Sequence, residues 1–337
     1  MGTVVVAAGR RARPAALLAL VATLAVVAAG LMAPQRSDAA ATVGPGVVAG
    51  DVLVHDPSMA RGPDGTYILV STAPGLAIRT SSDRTTFVYR GVAFPAGASW
   101  TDTYTGTSNG NLWAPDLSYR NGRFWLYYAA SSFGSNRSAI FLATSTTGLP
   151  GSWTNRGKIY STTTSSDHNA IDPSLYVATD GRWWLTFGSF WTGLKQLELD
   201  PATGLRRGSG LTSLASRPGS TAVEAPAVVK HGAYYYLFMS WDACCRGASS
   251  TYRIMVGRST RLDGPYYDRQ GVALLQGGGT QLLATNGRYV GPGGQSVLTD
   301  VDGELLVYHY YDAQDGGRAK LGLNRLGWDS GGWPVVR

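Results

Sequence analysis

Cysteine is nearly absent. Two residues in 337 carry a thiol, and they are neighbours, Cys244 and Cys245. So few exclude a disulfide framework and a cysteine-rich zinc site. Adjacent Cα atoms across a trans peptide stand about 3.8 Å apart, closer than an ordinary disulfide prefers. In an oxidising compartment a bond between the two can still form, and it would stiffen the loop 241–247. A metal site or a catalytic thiol is the weaker reading, because no other cysteine exists and the nearest histidine in sequence, His231, falls at a hairpin turn. Charge is sparse as well, at 15% of residues, and the net +7 comes from dispersed arginines. That pattern excludes a nucleic-acid surface. Beyond residue 32 there is no long apolar run, low-complexity tract or charge block, so nothing marks a linker or a second domain.

What the chain does have is glycine, tryptophan and tyrosine in quantity, few apolar residues at helical spacing, and a repeat. This combination predicts an all-β fold. Asp172-Pro173-Ser174 leads to Asp180-Gly181 and then to Trp183-Trp184-Leu185-Thr186-Phe187. The same unit recurs from Asp56 through Asp64-Gly65, from Asp116 through Asn121-Gly122, from Glu224 through His231-Gly232, and from Gln295 through Asp302-Gly303. Asn-Gly and Asp-Gly between apolar runs signal a tight hairpin, because both residues tolerate positive φ. Five antiparallel units of about four strands hide their edges by radial packing, which predicts a five-bladed β-propeller. Trp125, Trp183 and Trp184 follow the strand pattern and are expected in the core between blades.

In such a ring the leading residues Asp56, Asp116, Asp172, Glu224 and Gln295 converge on the central channel. Gathering carboxylates around one axis is costly in desolvation and repulsion, which argues for a chemical task. Taken singly, an Asp before a proline is ordinary turn chemistry. Aromatic rings with scattered polar residues suit a sugar, whose C–H faces stack while its hydroxyls seek hydrogen bonds.

The N-terminus reads differently. Arg10, Arg11 and Arg13 precede an apolar run from Ala15 to Met32, and Ala39-Ala40-Ala41 offers small residues for cleavage. Residues 1–41 therefore read as a secretory signal peptide and 42–337 as one catalytic domain, released outside the cell with no stable membrane association. An uncleaved anchor is the alternative.

With the repeat in place, the ordered series His55-Asp56-Pro57-Ser58, Trp113-Ala114-Pro115-Asp116, Asn169-Ala170-Ile171-Asp172-Pro173-Ser174, Gly188-Ser189-Phe190-Trp191, Glu224-Ala225-Pro226, Cys244-Cys245-Arg246-Gly247 and Tyr308-His309-Tyr310-Tyr311 resembles glycoside hydrolase family 43, in its endo-1,5-α-L-arabinanase branch. The resemblance implies a five-bladed propeller that hydrolyses internal α-1,5 bonds of arabinan with inversion. It implies Asp56 as general base, Glu224 as general acid and Asp172 as the residue that positions Glu224 and raises its pKa. Trp113, Phe133, Asn169 and Ser174 are the substrate-binding positions it implies, and His309 the ligand of a hydrated cation, often calcium, near the axis. One imidazole and water make an unusual shell for calcium. Asp116 stands outside the implied triad and reads as structural or substrate-supporting. The partner is then a polysaccharide and the protein a monomer. An exo-acting arabinanase or arabinofuranosidase, a β-xylosidase and a glycan-binding propeller without activity are the alternatives.

Overall fold

The computed structural model describes Met1, Gly2 and residues 43–337. The signal-peptide reading thus lies, but for its first two residues, outside the described residues. From residue 43 onward the chain forms five antiparallel sheets in succession. Their innermost strands are Ser58–Arg61, Asn111–Arg120, Ser174–Val177, Val223–His231 and Tyr289–Asp300. Each blade then builds outward through two further strands to a fourth. This is the expected five-bladed β-propeller.

The hairpins show how local chemistry sets each blade. Arg120 pairs with Arg123, leaving Asn121 and Gly122 as a two-residue connection with φ of 51° and 76°, the doubly positive turn that matches strand twist. In the fourth and fifth blades the two-residue connections are Gly232-Ala233 and Val301-Asp302, one position away from the dipeptides the sequence suggested. Gly232 and Gly303 still supply positive φ, at 56° and 119°. The first and third blades use longer loops, between Arg61 and Tyr67 and between Val177 and Trp183.

Neighbouring blades bury their faces against each other. Trp125 of the second blade meets Trp183 of the third edge to face, ring centroids 4.9 Å apart, among buried Tyr127, Leu142, Leu185 and Phe187. A side chain of this size, fully buried, contributes roughly 1.5–3 kcal/mol. Trp184 departs from expectation. It is half-buried, with the Arg182 guanidinium 5.4 Å from its ring centroid, because its side chain alternates to the other face of the strand.

The ring closes with both ends of the folded chain. Along the third strand of the fifth blade, Arg318–Trp328, the segment near Pro334–Val336 pairs with Leu326–Trp328. The N-terminal segment covers the rest, with Gly46 N–H donating to Leu323 O at 2.9 Å and Leu321 N–H to Val52 O at 2.8 Å. Neither segment alone completes the blade.

Candidate active site

One backbone feature repeats at the axis in every blade. Asp56, Ala114, Asp172 and Ala225 have positive φ, at 46°, 42°, 57° and 51°, and Gly294 occupies the matching place at 58°. Except for Gly294, each precedes a proline: Pro57, Pro115, Pro173 and Pro226. Proline has no N–H to give a ladder, and the pairing slips beside it between Trp113 and Asp116 and between Glu224 and Ala227. A left-handed non-glycine residue costs about 1–3 kcal/mol and clusters at functional sites. These corners, with Asp116, Ser174, Gln295 and Ser296, line an axial cavity of about 30 Å³, room for a water or two. The leading residues are therefore not equivalent. Asp116 lies two positions beyond its corner, Glu224 one before and Gln295 one after.

Asp56 is the most heavily braced acid. Its Oδ2 accepts from His55 Nδ1 and from Thr72 Oγ1, both at 2.8 Å, and its own N–H donates to His309 Nδ1 at 3.1 Å. Burial pushes its pKa up, but the charge and hydrogen bond of His55, the nearby His309 and the Thr72 hydroxyl outweigh it, leaving about 2. Asp56 is thus ionised throughout the neutral range. Tyr311 Oη is the hub behind it, 2.7 Å from Cys245 N, 2.7 Å from His55 Nε2 and 3.3 Å from His309 Nε2. Its two lone pairs take the Cys245 N–H and the His309 Nε2–H, so its own proton goes to His55 Nε2. When neutral, His55 then carries its proton on Nδ1 and donates to Asp56; the charge and hydrogen bond of Asp56 outweigh burial and raise its pKa, and in the charged form Nε2 is protonated as well. Gly294 leaves space for this cluster: a Cβ there would lie 2.4 Å from Asp56 Oδ1 and 2.8 Å from the His309 ring.

Glu224, 8% exposed, has the opposite character. Ser189 Oγ donates to its Oε2 at 2.6 Å, and Tyr252 Oη donates to Oε1. Burial raises its pKa, the Ser189 and Tyr252 hydrogen bonds lower it, and the charge of Asp56 raises it further, for a net rise. Asp172 accepts from Ala225 N–H at 3.0 Å, beside Glu224 along the chain. Its pKa is raised well above the usual range, by burial first and then by Glu224 and Asp56. Having one donor where Glu224 has two, Asp172 is the more reluctant to ionise, so the pair retains a proton between them.

Asp116 has another occupation. Its Oδ2 accepts from Leu175 N–H at 3.0 Å, one link in a belt of side-chain-to-backbone bonds that ties each blade to the next. Ser58 Oγ takes Leu117 N–H at 3.0 Å, Asp172 takes Ala225 N–H, Gln295 Nε2 donates to Ala225 O at 2.5 Å, and Ser296 Oγ donates to Pro57 O at 3.0 Å. Burial pushes Asp116 up to about 7 against the Leu175 bond and the charge of Arg120.

The remaining expected residues are scattered around this centre. Trp113, next to the second corner, meets Phe133 edge to face with centroids 5.8 Å apart, and Phe133 is 83% exposed. An exposed ring held by a second ring is a surface for a sugar face. Asn169 is buried with its Oδ1 unpartnered among the described residues. Ser174 lines the axial cavity. His309 is fully buried and held neutral, since burial and then the charge of His55 depress its pKa against the pull of Asp56. With Nδ1 accepting from Asp56 and Nε2 facing Tyr311, neither nitrogen has a free lone pair. His55, Asp56 and His309 nevertheless bring ligand atoms within 4.8 Å of one another, a set that would hold the expected cation only by displacing these hydrogen bonds, and no step below is routed through it. Cys244 and Cys245 are joined as a disulfide, Cys245 Sγ lying 3.8 Å from His55 Nε2. Thr72, Ser189, Tyr252 and Tyr311 were not singled out from the sequence. Tyr311 reaches the acids from a strand of the fifth blade and Thr72, Ser189 and Tyr252 from positions just outside strand ends, and only the Gly188-Ser189-Phe190-Trp191 and Tyr308-His309-Tyr310-Tyr311 runs hinted at two of them.

Residues 47–334 match the family model of the glycosyl hydrolases family 43. The chain belongs to that family. It is 44% identical to the extracellular endo-α-(1→5)-L-arabinanase 1 of Bacillus subtilis over 314 residues, 92% of this chain and 95% of that protein. To the extracellular exo-α-(1→5)-L-arabinofuranosidase of Cellvibrio japonicus it is 40% identical, over 85% of this chain and 86% of that one. Among solved structures, the family 43 endo-arabinanase of Bacillus licheniformis superposes with a TM-score of 0.80 at 45% identity, covering 86% of this chain and 99% of that one. The Cellvibrio cellulosa α-L-arabinanase complexed with arabinohexaose gives 0.81 at 38% identity, over 85% and 96%. In this family 43 chain, then, Asp56 and Glu224 come from different blades, near enough for the charge of Asp56 to raise the pKa of Glu224.

Proposed function

We propose that this family 43 chain is an endo-1,5-α-L-arabinanase, an exported enzyme that cuts internal bonds of linear arabinan with inversion at the anomeric carbon. The observation that carries the reading is two carboxyls in unlike settings, Asp56 held by His55 and Thr72 with its amide on His309, and Glu224 buried and held by the Ser189 and Tyr252 hydroxyls. Asp56, ionised, takes a proton from water as that water attacks the anomeric carbon; Glu224 gives its proton to the departing sugar oxygen. The C–O bond breaks, one alcohol and one inverted hemiacetal leave, and both carboxyls reset by proton exchange with solvent. Asp172 holds the Ala225 amide and shares the proton that Glu224 must keep. Trp113 and Phe133 offer the ring surface for a furanose unit, and Asn169, with its free Oδ1, an acceptor for a hydroxyl.

The relative named as extracellular and endo-acting supports both export and internal cleavage. Among the described residues no helix is long and apolar enough to cross a membrane. The second reading, exo action, rests on the Cellvibrio japonicus relative. Chromatography of early digests of debranched arabinan separates them. Oligosaccharides of mixed length should precede arabinose, whereas a single short product from the first minutes would replace the endo reading with the exo one. In the same assay Glu224→Ala should lose about 10²–10⁴-fold on arabinan and regain much of it on an aryl arabinofuranoside whose leaving group needs no proton.

A further inference from the structure

The disulfide loop stands against His55 and Tyr311, which brace Asp56. Cys245 is exposed, Cys244 partly so, and their sulfurs and a nitrogen of His55 all lie within 4.8 Å of one another. The 3.8 Å between Cys245 Sγ and His55 Nε2 is close to the span, about 3.6 Å, that tetrahedral zinc imposes on one sulfur and one imidazole nitrogen. In neutral His55, Nε2 is also the nitrogen with the lone pair, and the ring is fixed from its other side by Nδ1, 2.8 Å from Asp56 Oδ2. Metal-binding histidines are commonly oriented in this way through the second nitrogen.

We infer that the Cys244–Cys245 disulfide closes a latent metal site, and that once it is opened the two thiolates and His55 Nε2 bind a borderline-soft divalent cation such as zinc. Opening is a two-electron step. A phosphine reductant gives up two electrons and takes the oxygen of one water, and the two sulfurs leave as thiols with that water's two protons. The cation then displaces both thiol protons and takes the place of the Tyr311 hydrogen on His55, with its fourth position left to water. A divalent charge now sits beside Asp56, withdrawing electron density through His55. The enzyme is stopped while reduced and metal-loaded. Loss of activity on loading rests on Asp56 being the base; the binding itself does not.

Cobalt(II) makes the test independent of turnover, because thiolate ligation gives a near-ultraviolet charge-transfer band. The full protein is reduced with a phosphine, freed of reductant without air, checked for two thiols and titrated with Co²⁺. One ion per chain with the thiolate band is expected, none in untreated protein and none in Cys244→Ser/Cys245→Ser taken through the same steps. His55→Ala should weaken the binding about tenfold or more. Zinc added to the reduced enzyme should lower turnover on arabinan at least tenfold, reversed by a chelator. Equal uptake by untreated protein or by the double variant, or two free thiols without a thiolate band, overturns the site. A correct band with unchanged turnover keeps the site but overturns the inhibition, and with it the role given to Asp56.

Discussion

A hydroxyl that donates to a carboxylate stabilises the ionised form, and Glu224 has two such donors. Tyr252→Phe removes one, so the pKa of Glu224 rises and the protonated, working form survives to higher pH. The alkaline limb of kcat/KM on arabinan should move up by about one unit, since one unit corresponds to about 1.4 kcal/mol, comparable to a hydrogen bond to a charged group. Asp172→Asn should do the reverse. It deletes the second site for the shared proton and the repulsion that keeps it there, so the limb moves down. A profile that stays put in both variants would detach these residues from the acid. Gly294→Ala brings a Cβ against Asp56 and His309 at a backbone φ of 58°, and kcat should fall at least about tenfold with KM little altered, because the base is displaced rather than the sugar surface. Asp56, Glu224 and Asp172 could be named from the sequence as candidate acids because each sits in a short motif that also holds a proline. Tyr252 carries no mark until the fold brings it beside an acid, and Ser189 has only the hint of its Gly188-Ser189-Phe190-Trp191 run.

At the level of strands, most of each blade was readable. Apolar runs separated by glycine-bearing dipeptides mark where the hairpins fall, although only Asn121-Gly122 is itself the two-residue turn, and their number gives the count of blades. The equivalence between blades was not readable, because the repeated feature is a backbone corner. Ala114 and Ala225 occupy the same place as Asp56 and Asp172, and nothing in an alanine announces a left-handed φ. That is why Asp116 looked like a fourth acid in register while its carboxylate is turned to Leu175 as part of the belt. Its pKa of about 7 has a consequence for stability. The folded state holds a proton there that the unfolded chain releases near pH 4, so folding loses free energy as pH rises from about 4 to 7. Asp116→Asn keeps an acceptor for Leu175 without the charge. Its melting temperature should match the parent's near pH 4 and exceed it by a few degrees at pH 8, as thermal denaturation at the two pH values would show.

The ring as a whole depends on the shared last blade. Removing Pro334–Arg337 leaves Leu326–Trp328 unpaired and takes Val336 out of the cluster that holds Leu326 and Trp333. The truncated protein should melt at least several degrees lower, while hairpins within the first four blades keep their protection in hydrogen exchange. The same closure orders events in time. Gly46 and Leu323 meet in the fold but lie 277 residues apart in sequence, so a chain emerging residue by residue from the ribosome has no closed ring until its last strand is free. Four blades would wait with open edges, which strand-rich intermediates can use for misassembly. Under the export proposed above, that delay would be useful. A polypeptide that cannot close its ring before the strand Pro334–Val336 is free remains threadable, and closure would then fall on the far side of the membrane, where the Cys244–Cys245 bond can also form.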